Sequence, residues 1–318
     1  MFALTLAFLL DLLIGDPVYS FHPVRIMGKF IDRAEKVLRL KIRREKFAGA
    51  ILAVSFPVLI FLSVWFLIFS LEKIHSALAW TVNFYGIYAS ISVHDLRKEG
   101  IRIYKDLKNG ELQKARQSLA RIVGRDTSSL DQKEIVRASI ETIAESTVDG
   151  VIAPLFYAVL GGAPLALAYK AVNTLDSMIG HLNERYRNFG FFAAKQDEFW
   201  NWIPARISYY VISLAAFFFN GRIDEAAFVG WQDGMSAPNG NSAIPEAAFA
   251  GTLGLRLGGP STYEGRLVER PFLGIRQKEF DREDLMKSIH LMMIVSGFSL
   301  SGALLLKYGL GLAGQLLR

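Results

Sequence analysis

Acidic side chains recur along one face of a predicted helix near the middle of the chain. Glu134, Glu141, Glu145 and Asp149 follow one another at spacings of seven, four and four residues, with Arg137 among them. Glu141 and Glu145 are like charges one turn apart, and their repulsion costs a few tenths of a kcal/mol unless a cation lies between them. The stripe therefore predicts a site for a hard cation such as Mg²⁺, with the solvated face of an amphipathic helix as the alternative.

A second polar cluster follows the next apolar run. Its members are of the types that bind phosphate or magnesium: Lys170, Asn173, Asp176, Asn183, Glu184 and Arg185. The first three are spaced by three residues, so they lie within an arc of about one helix face. Lys170 is the only Lys or Arg between residues 151 and 173. It is predicted to bind a phosphate or carboxylate, with snorkelling to the membrane interface as the alternative.

Two further polar clusters lie among turn-forming residues. Near the start of the chain are Asp16, His22 and Arg25, for which a plain turn before a basic surface helix is the alternative.

The other cluster spans residues 236–265, where Asn239 is predicted to form a turn with Gly240. Pro245 fits the first position of a helix, Glu246 falls in its first turn, and Arg256 supplies a cation. Helix packing alone is the alternative for this glycine-rich stretch.

The elements that must position these clusters are apolar helices. With 52% hydrophobic residues, the chain is more apolar than a soluble domain usually is. Residues 47–71 carry no charge and are long enough to cross a membrane, and further candidate spans are 77–93, 151–172, 203–219 and 291–317. We therefore predict an all-α, polytopic integral membrane protein with about four to five membrane segments and cytosolic helical loops. The N-terminal run is predicted to be a retained helix whose Asp11 faces protein or the interface.

Local sequence motifs predict where one of these helices begins and where another is broken. Ser129 and Gln132 fit a capping box for the acidic helix. The segment 151–172 is interrupted by two prolines and two glycines, Pro154, Gly161, Gly162 and Pro164. This pattern predicts a broken or re-entrant helix pair buried in protein.

Positive charge is distributed unevenly along the chain. Nine Lys or Arg occur in residues 16–46, eleven in 94–150 and eight in 221–290, which by the positive-inside rule predicts cytosolic loops. We expect residues 1–318 to form one integral membrane domain, with 94–150 and 221–288 as its main cytosolic polar loops. The net charge of +6 is attributed to this topology and to the lipid bilayer, and nucleic-acid binding is not predicted.

Several kinds of site are excluded by residue types. The chain has no Cys, which excludes disulfides, thiolate nucleophiles and Cys-ligated zinc. Its five His residues are isolated, so a His-ligated zinc is not predicted. A GxxxxGK[ST] motif is also missing, so a bound nucleotide would not use a P-loop.

In these blocks the chain resembles the adenosylcobinamide-phosphate synthase family of cobalamin biosynthesis, the CobD/CbiB membrane proteins. The resemblance covers nearly the whole length and rests on GDP…HPVR (15–25), GRDTSSLD (124–131), ETIAESTVDGVIAPLFY (141–157), AYKAVNTLDSMIG (168–180), NERYRNFG (183–190), NWIPAR (201–206) and PEAAFAG…LGGP (245–260). The chain departs from the family pattern before Pro245, where MSAPNGNSAIPE stands in place of a His-Pro-Ser-Pro-Asn-Ala-Gly type segment and supplies no histidine.

The resemblance implies an ATP-dependent ligase that joins adenosylcobyric acid to (R)-1-amino-2-propanol or its O-phosphate, giving adenosylcobinamide or its phosphate. The implied cofactors are ATP and Mg²⁺. The implied partners are the corrinoid and amino-alcohol substrates, with contacts to other membrane-associated enzymes of cobalamin assembly as a further expectation. The implied location is the inner cell membrane, with the active-site loops on the cytosolic side.

The predicted residue roles follow from this chemistry. The catalytic residues are Glu141, Glu145, Lys170 and Asp176, and the metal ligands are Glu141, Glu145, Asp149 and Asp176. The substrate- or nucleotide-binding residues are Asp16, His22, Arg25, Arg125, Asp126, Asn173, Asn183, Glu184, Arg185, Asn239, Glu246 and Arg256.

Two other functions are alternatives. The acidic spacing also suits a magnesium-dependent intramembrane transferase that acts on a diphosphate substrate, although the full Asp-rich signatures of such enzymes are missing. A membrane transporter is the non-enzyme alternative, but its ionisable groups should lie within the spans and its halves should show repeat symmetry. Here the polar clusters lie mostly at span ends and in loops.

Overall fold

Helices make up most of the computed structural model, which describes residues 1–16, 22–181, 183–237, 240–275 and 278–316. The first four are α1 (Phe2–Ile14), α2 (Pro23–Lys41), α3 (Glu45–Glu72) and α4 (Ser76–Tyr88). Next come α5 (Val93–Lys108), α6 (Leu112–Leu119), α7 (Gln132–Thr147), α8 (Ala153–Ile179) and α9 (Phe191–Trp200). The last four are α10 (Trp202–Asn220), α11 (Ile223–Val229), α12 (Ala243–Leu253) and α13 (Arg282–Leu316).

Short irregular elements join some of these helices. Two π-helical turns, Val148–Ile152 and Gly230–Gly234, follow α7 and α11 directly, and a 3₁₀ turn, Gly240–Ser242, precedes α12. Between α12 and α13 lie four short strands, β1 (Leu257–Gly258), β2 (Ser261–Tyr263), β3 (Arg266–Val268) and β4 (Phe272–Leu273). β1 pairs with β4 and β2 pairs with β3, both antiparallel.

The prediction of an all-α, multi-pass membrane protein is confirmed. Four helical stretches in the described part of the chain are long and apolar enough to cross a membrane: Glu45–Glu72, Gln132–Ile179, Trp202–Asn220 and Arg282–Gln315. The predicted segment 77–93 is shorter than expected, because its helix α4 ends at Tyr88 and has 13 residues. At 1.5 Å per residue it measures about 20 Å, against a hydrocarbon core of about 30 Å.

The predicted break in the apolar segment after α7 is confirmed. Gly161 and Gly162 of α8 have non-helical dihedral angles, and Gly162 has a φ of 65° and a ψ of −155°. The break frees backbone N–H groups, and that of Ala163 donates to Oδ1 of Asn83 in α4 at 2.9 Å. The side chain of Asn83 therefore caps the second half of α8. Whether the two halves form a re-entrant pair stays a prediction.

Two predicted helix starts are shifted by two residues. The capping box of α7 is formed by Asp131 and Glu134, not by Ser129 and Gln132, because each of these side chains accepts the backbone N–H of the other residue. Helix α12 begins at Ala243, so Pro245 is its third residue. The missing N–H of proline is harmless there too, since the first four N–H groups of a helix have no partner within it.

The chain forms two compact units. Unit 1 consists of Met1–Ser92, Ala153–Trp202 and Leu300–Arg318, and unit 2 consists of Val93–Ile152 and Ile203–Ser299. Both predicted polar loops, 94–150 and 221–288, lie entirely within unit 2. The expectation of a single integral domain over residues 1–318 stays a prediction.

In unit 1, helices α2, α3, α8 and α9 pack around one apolar core. Ile31 of α2, Leu52 of α3 and Leu175 of α8 all lie in it and are buried. Because Ala171 and Leu175 face this core, the helix is fixed in rotation. Its polar side chains at positions 170, 173 and 176 are held half-buried.

In unit 2, α12 is buried along its whole length. Its sequence AIPEAAFAGTL consists mostly of small residues, which lets α7 and α11 approach closely. Phe249 is its one large aromatic residue and is fully buried. Glu246 is carried into the interior by this helix and is 1% exposed.

We expect Gly162→Ala to destabilise the protein, because its φ of 65° strains an L-residue and a Cβ would lie 2.6 Å from Oδ1 of Asn83. The expected loss is about 1–3 kcal/mol, read as a lower thermal midpoint in detergent. Gly302→Ala is the matched control, since nothing lies within 4 Å of a Cβ there and alanine favours the helix. Equal midpoints for the two variants would show that the break carries no strain.

Candidate functional site

Both oxygens of Glu141, the central carboxylate of α7, are bound. Oε2 accepts from Nη2 of Arg125 at 2.6 Å, and Oε1 accepts from the backbone N–H of Gly258 at 2.8 Å. The Glu141 side chain is 2% exposed and that of Arg125 is 7% exposed, so the ion pair is buried. In this structure Glu141 therefore holds Arg125 and the Gly258 backbone, and metal binding at Glu141 stays a prediction that requires one of these contacts to open.

The same helix holds the glycine-rich segment Gly258–Pro260. Arg137 donates to the carbonyl of Gly258 and, at 3.2 Å, to the carbonyl of Pro260. Gly258 has a φ of 74°, and a Cβ on it would lie 2.1 Å from the carbonyl oxygen of Pro271. A residue other than glycine would therefore displace this backbone from Arg137 and Glu141.

Asp126 closes the β2–β3 hairpin. Its carboxylate accepts the backbone N–H groups of Glu264 at 3.2 Å and Gly265 at 2.7 Å. Its own N–H donates to the carbonyl of Thr262 at 2.8 Å. Next to it, Arg125 donates to Oγ of Ser261 at 3.3 Å. Arg125 and Asp126 thus attach the hairpin to α7. The substrate- or nucleotide-binding role predicted for these two residues stays a prediction.

A second buried ion pair lies beside the acidic helix. Glu246 accepts from Nη2 of Arg270 at 3.1 and 3.4 Å. Burial raises the pKa of Glu246 to about 8, the charges of Glu141 and Glu145 raise it as well, and Arg270 lowers it. Glu141, Glu145 and Glu246 are therefore close enough to influence one another, and burial outweighs the ion pair.

The remaining predicted residues of unit 2 have different settings. Glu145 is exposed on α7, one turn after Glu141. Asp149 lies in the π-helical turn Val148–Ile152, whose wider turn changes the spacing expected of an α-helix. Arg256 is exposed, and its guanidinium carbon lies 4.2 Å from the ring centroid of Phe272. Asn239 lies outside the described residues.

In unit 1, the structure places Lys170, Asn173 and Asp176 together on α8 after its break. All three are half-buried and spaced by three residues, so helical geometry gives them one broad face, as predicted. Across the part of the chain that the structure describes, no group of three or more His, Asp or Glu is arranged to hold a metal ion.

Two members of the predicted cluster near the start of the chain, Asp16 and His22, are in contact. Oδ1 of Asp16 lies 3.3 Å from Nε2 of His22, and the histidine is buried at the residue before α2. Arg25 is exposed on the first turn of α2. Residues 17–21, which include Pro17, lie outside the described residues.

A buried glutamate organises the segment 183–190. Oε1 of Glu35 accepts from Nε of Arg39 at 2.9 Å and from Nη2 of Arg185 at 3.1 Å, and Oε2 accepts from the hydroxyl of Tyr186 at 3.3 Å. Arg39 also donates to the carbonyl of Arg185 at 2.7 Å. Asn183 accepts the N–H of Tyr186 on its side chain at 3.0 Å. These contacts fix the backbone that carries Arg185.

The neighbouring Glu184 is exposed. The sequence reasoning missed Glu35, Arg39 and Arg270 as parts of these clusters. In the sequence each of them looks like a solvent-exposed charged residue on a helix or in a loop. The partner of each becomes visible only in the folded structure. Helical spacing places Arg137 on the acidic face, but nothing in the sequence indicates that it binds backbone carbonyls.

Comparisons with known proteins agree over nearly the whole chain. The family model described as "CobD/Cbib protein" matches residues 4–292. The chain is 42% identical to the "Cobalamin biosynthesis protein CobD" of Clostridium perfringens over 308 residues, covering 96% of this chain and 98% of that protein. It is 38% identical to the "Cobalamin biosynthesis protein CbiB" of Salmonella typhimurium over 312 residues, which cover 97% of each chain. No solved structure matches it.

The buried carboxyl of Glu246 predicts a pH dependence of stability. A pKa raised to about 8 means that the folded state binds the proton more tightly than the unfolded state, whose pKa is near 4.5. Stability should therefore be greatest below about pH 4.5 for this group and fall as the pH rises towards 8. Thermal midpoints measured with EDTA between pH 5 and 8 should show this fall in the wild type.

Glu246→Gln is the matched variant, because glutamine is neutral at every pH and keeps the shape of the side chain. Its thermal midpoint should depend less on pH than that of the wild type. An equally steep fall in the variant would assign the pH dependence to other groups.

Proposed function

Because the chain belongs to the CobD/Cbib protein family, we propose that this membrane protein of cobalamin biosynthesis is an ATP-dependent amide-forming ligase, an adenosylcobinamide-phosphate synthase. Its acid substrate would be adenosylcobyric acid. Its amine substrate would be (R)-1-amino-2-propanol or the O-phosphate of that amino alcohol. The product would be adenosylcobinamide or its phosphate.

The proposed reaction needs an activated acid, because a carboxylate does not condense with an amine in water. A carboxylate oxygen of the acid would attack the γ-phosphorus of ATP and release ADP. The amine nitrogen would then attack the acyl carbon, and phosphate would leave with that oxygen as the amide bond forms. The attacking ammonium must first lose its proton to a base, for which a carboxylate of the protein is suitable.

The protein's contribution to such a reaction is positioning and charge neutralisation. The observation that most supports the proposal is the charge cluster of unit 2, where Glu141, Glu145 and Glu246 influence one another beside Arg270. Arg125 joins this cluster through its buried pair with Glu141. Each pair holds an arginine in a fixed position, Arg125 beside Glu141 and Arg270 beside Glu246, and such fixed cations suit the recognition of phosphoryl oxygens.

Magnesium would accompany ATP in this scheme. Such an ion is usually held by one or two protein carboxylates together with the phosphates of the substrate. In unit 2, Glu145 and Asp149 provide that number, because both oxygens of Glu141 are already bound. In unit 1, Asp176 is the remaining proposed ligand. When bound, the metal would neutralise negative charge on the phosphoryl oxygens.

The cations of unit 1 are proposed to bind phosphate or carboxylate groups of the substrates. Lys170 is half-buried on α8, where a lower dielectric strengthens its attraction for an anion. Arg185 is 63% exposed, its guanidinium donates to Glu35 at 3.1 Å, and its backbone carbonyl accepts from Arg39 at 2.7 Å. Asn173 and Asn183, on the same helix and loop, would add hydrogen bonds.

We also propose that the protein lies in the inner cell membrane with its basic loops in the cytosol. The support is the excess of Lys and Arg in residues 94–150 and 221–290 together with the apolar helices. ATP is available on that side. Contacts with other enzymes of cobalamin assembly at the membrane are part of the same proposal.

The purified protein should form product and ADP in equal amounts, and only when the corrinoid acid, the amine and Mg²⁺-ATP are all present. Glu145→Gln should lower turnover by orders of magnitude and change the magnesium dependence, because a charged ligand is lost. Mass spectrometry of the product and an ADP assay measure both effects.

Glu279→Gln is the matched control, since it removes one exposed carboxylate of unit 2 that pairs with Lys133. It should retain turnover. Product formation without ATP would contradict the ligase proposal. Normal turnover of Glu145→Gln across a magnesium titration would show that Glu145 is not a metal ligand and only belongs to the solvated face of α7.

Two replacements of Lys170 distinguish anion binding from membrane anchoring. If its ammonium binds an anionic group, Lys170→Met should abolish condensation, and Lys170→Arg should impair it strongly because a planar fork replaces a compact charge. Initial rates with all substrates present measure this. Full activity of the Met variant at wild-type thermal stability would leave only membrane anchoring for this residue.

A further inference from the structure

Helix α5 is locked in rotation by its apolar face. Val93, Gly100, Ile103 and Leu107 are buried along one side of it. At Gly100 the helix packs closely against α13 and α7. A Cβ on this residue would lie 3.0 Å from Cδ1 of Ile289 in α13 and 3.3 Å from Cδ1 of Ile143 in α7. The opposite face of α5 is therefore held outward from unit 2.

That outward face is a basic groove of about 370 Å³. Its lining residues all lie on α5 and are His94, Arg97, Lys98, Ile101, Arg102, Lys105 and Asp106. Two acids of α5 have partners: Glu99 accepts from Arg102 at 2.9 Å, so Arg102 is already paired, and Asp106 accepts from the hydroxyl of Ser118 at 2.7 Å.

Arg97, Lys98 and Lys105 are exposed, and each lacks an ion pair within the described part of the chain. These three cations outnumber the one acidic lining residue, Asp106, so the groove carries net positive charge. An anionic ligand would complement it.

The packing of α5 on α13 shows where the groove lies relative to the apolar part of that helix. Residues 291–306 of α13 carry no charged side chain, whereas its first turns contain Glu283, Asp284 and Lys287. Gly100 packs against Ile289, two residues before the uncharged run begins, and the Tyr104 hydroxyl donates to Glu283 at 3.0 Å.

These two contacts also give the direction of α5. From Gly100 to Tyr104 the contacts move from Ile289 back to Glu283, so α5 runs opposite to the start of α13. Its N-terminal end is thus the end nearer the apolar run. Arg97 and Lys98 lie at that end, and Lys105 lies about 12 Å farther along the axis at 1.5 Å per residue.

We propose that the Arg97–Lys98 end of this groove binds the headgroup of an anionic phospholipid. The cations stand at the level where α13 passes from charged to apolar sequence, which is where lipid phosphates lie. A cation near an anionic lipid surface strengthens binding about fivefold, and the effect fades within about 10 Å at 0.1 M salt.

A lipid headgroup suits the groove better than a nucleotide does. The cations are spread along one helix instead of converging on one point, and the lining offers no Phe, Tyr or Trp ring on which a base could stack. The apolar lining residue, Ile101, suits contact with the start of an acyl chain.

Native mass spectrometry of the full-length protein in detergent tests the proposal. The probes are dioctanoyl-phosphatidylglycerol, dioctanoyl-phosphatidylcholine and Mg²⁺-ATP, each titrated separately. We expect the wild type to prefer phosphatidylglycerol over phosphatidylcholine. Arg97→Gln/Lys98→Gln should weaken phosphatidylglycerol binding at least tenfold, since two cations are lost.

The matched control is Lys105→Gln/Lys108→Gln, which removes two exposed cations from the other end of the same helix. It should weaken binding less than about threefold, because these side chains lie beyond the screening length. A variant that keeps both charges, Arg97→Lys/Lys98→Arg, should bind phosphatidylglycerol as the wild type does. Its unchanged binding would show that replacing these two side chains does not in itself disrupt the fold.

Three results would overturn the proposal. Equal weakening by the two neutralising variants would indicate general charge attraction. Unchanged phosphatidylglycerol binding in Arg97→Gln/Lys98→Gln would remove these residues from any lipid site. Loss of Mg²⁺-ATP binding in that variant, with lipid binding intact, would identify the groove as a nucleotide phosphate site.

Discussion

The buried ion pair between Arg125 and Glu141 is the contact on which the arrangement of unit 2 depends. It fixes the segment before α7, and through the second oxygen of Glu141 it fixes the backbone of Gly258. The hairpin that follows is attached next to it through Asp126. Removing one partner of such a pair leaves a buried charge, which typically costs about 3–5 kcal/mol. Neither residue can therefore be replaced without loosening all three segments.

The sequence predicted the features that depend on local backbone chemistry. The break in α8 was predicted because two adjacent glycines and a proline disrupt helical hydrogen bonding within a few residues, and the structure places it at Gly161 and Gly162. The start of α7 was predicted two residues too early, because Ser129 and Asp131 both fit the motif and only the reciprocal hydrogen bonds distinguish them. The face shared by Lys170, Asn173 and Asp176 follows from helical periodicity alone.

Features that depend on distant partners could not be predicted in this way. Glu35 meets Arg185 across 150 residues and Glu246 meets Arg270 across 24, and no periodicity connects such positions. Uninterrupted α-helical spacing would place Asp149 on the acidic face, but the chain enters a π-helical turn at Val148. Whether a charged residue on a helix is solvated or buried depends on what packs over it, which periodicity does not reveal.

The order of synthesis gives the Arg125–Glu141 pair a second consequence. Gly258 follows Glu141 by 117 residues, so at about 5–20 residues per second it leaves the ribosome roughly 6–23 s later. During that interval Glu141 lacks the backbone donor of Gly258, and a carboxylate buried without a partner is costly. Arg125 lies only 16 residues upstream and has already been translated. Arg125 is therefore already present to neutralise Glu141 while the nascent chain still lacks the segment that contains Gly258.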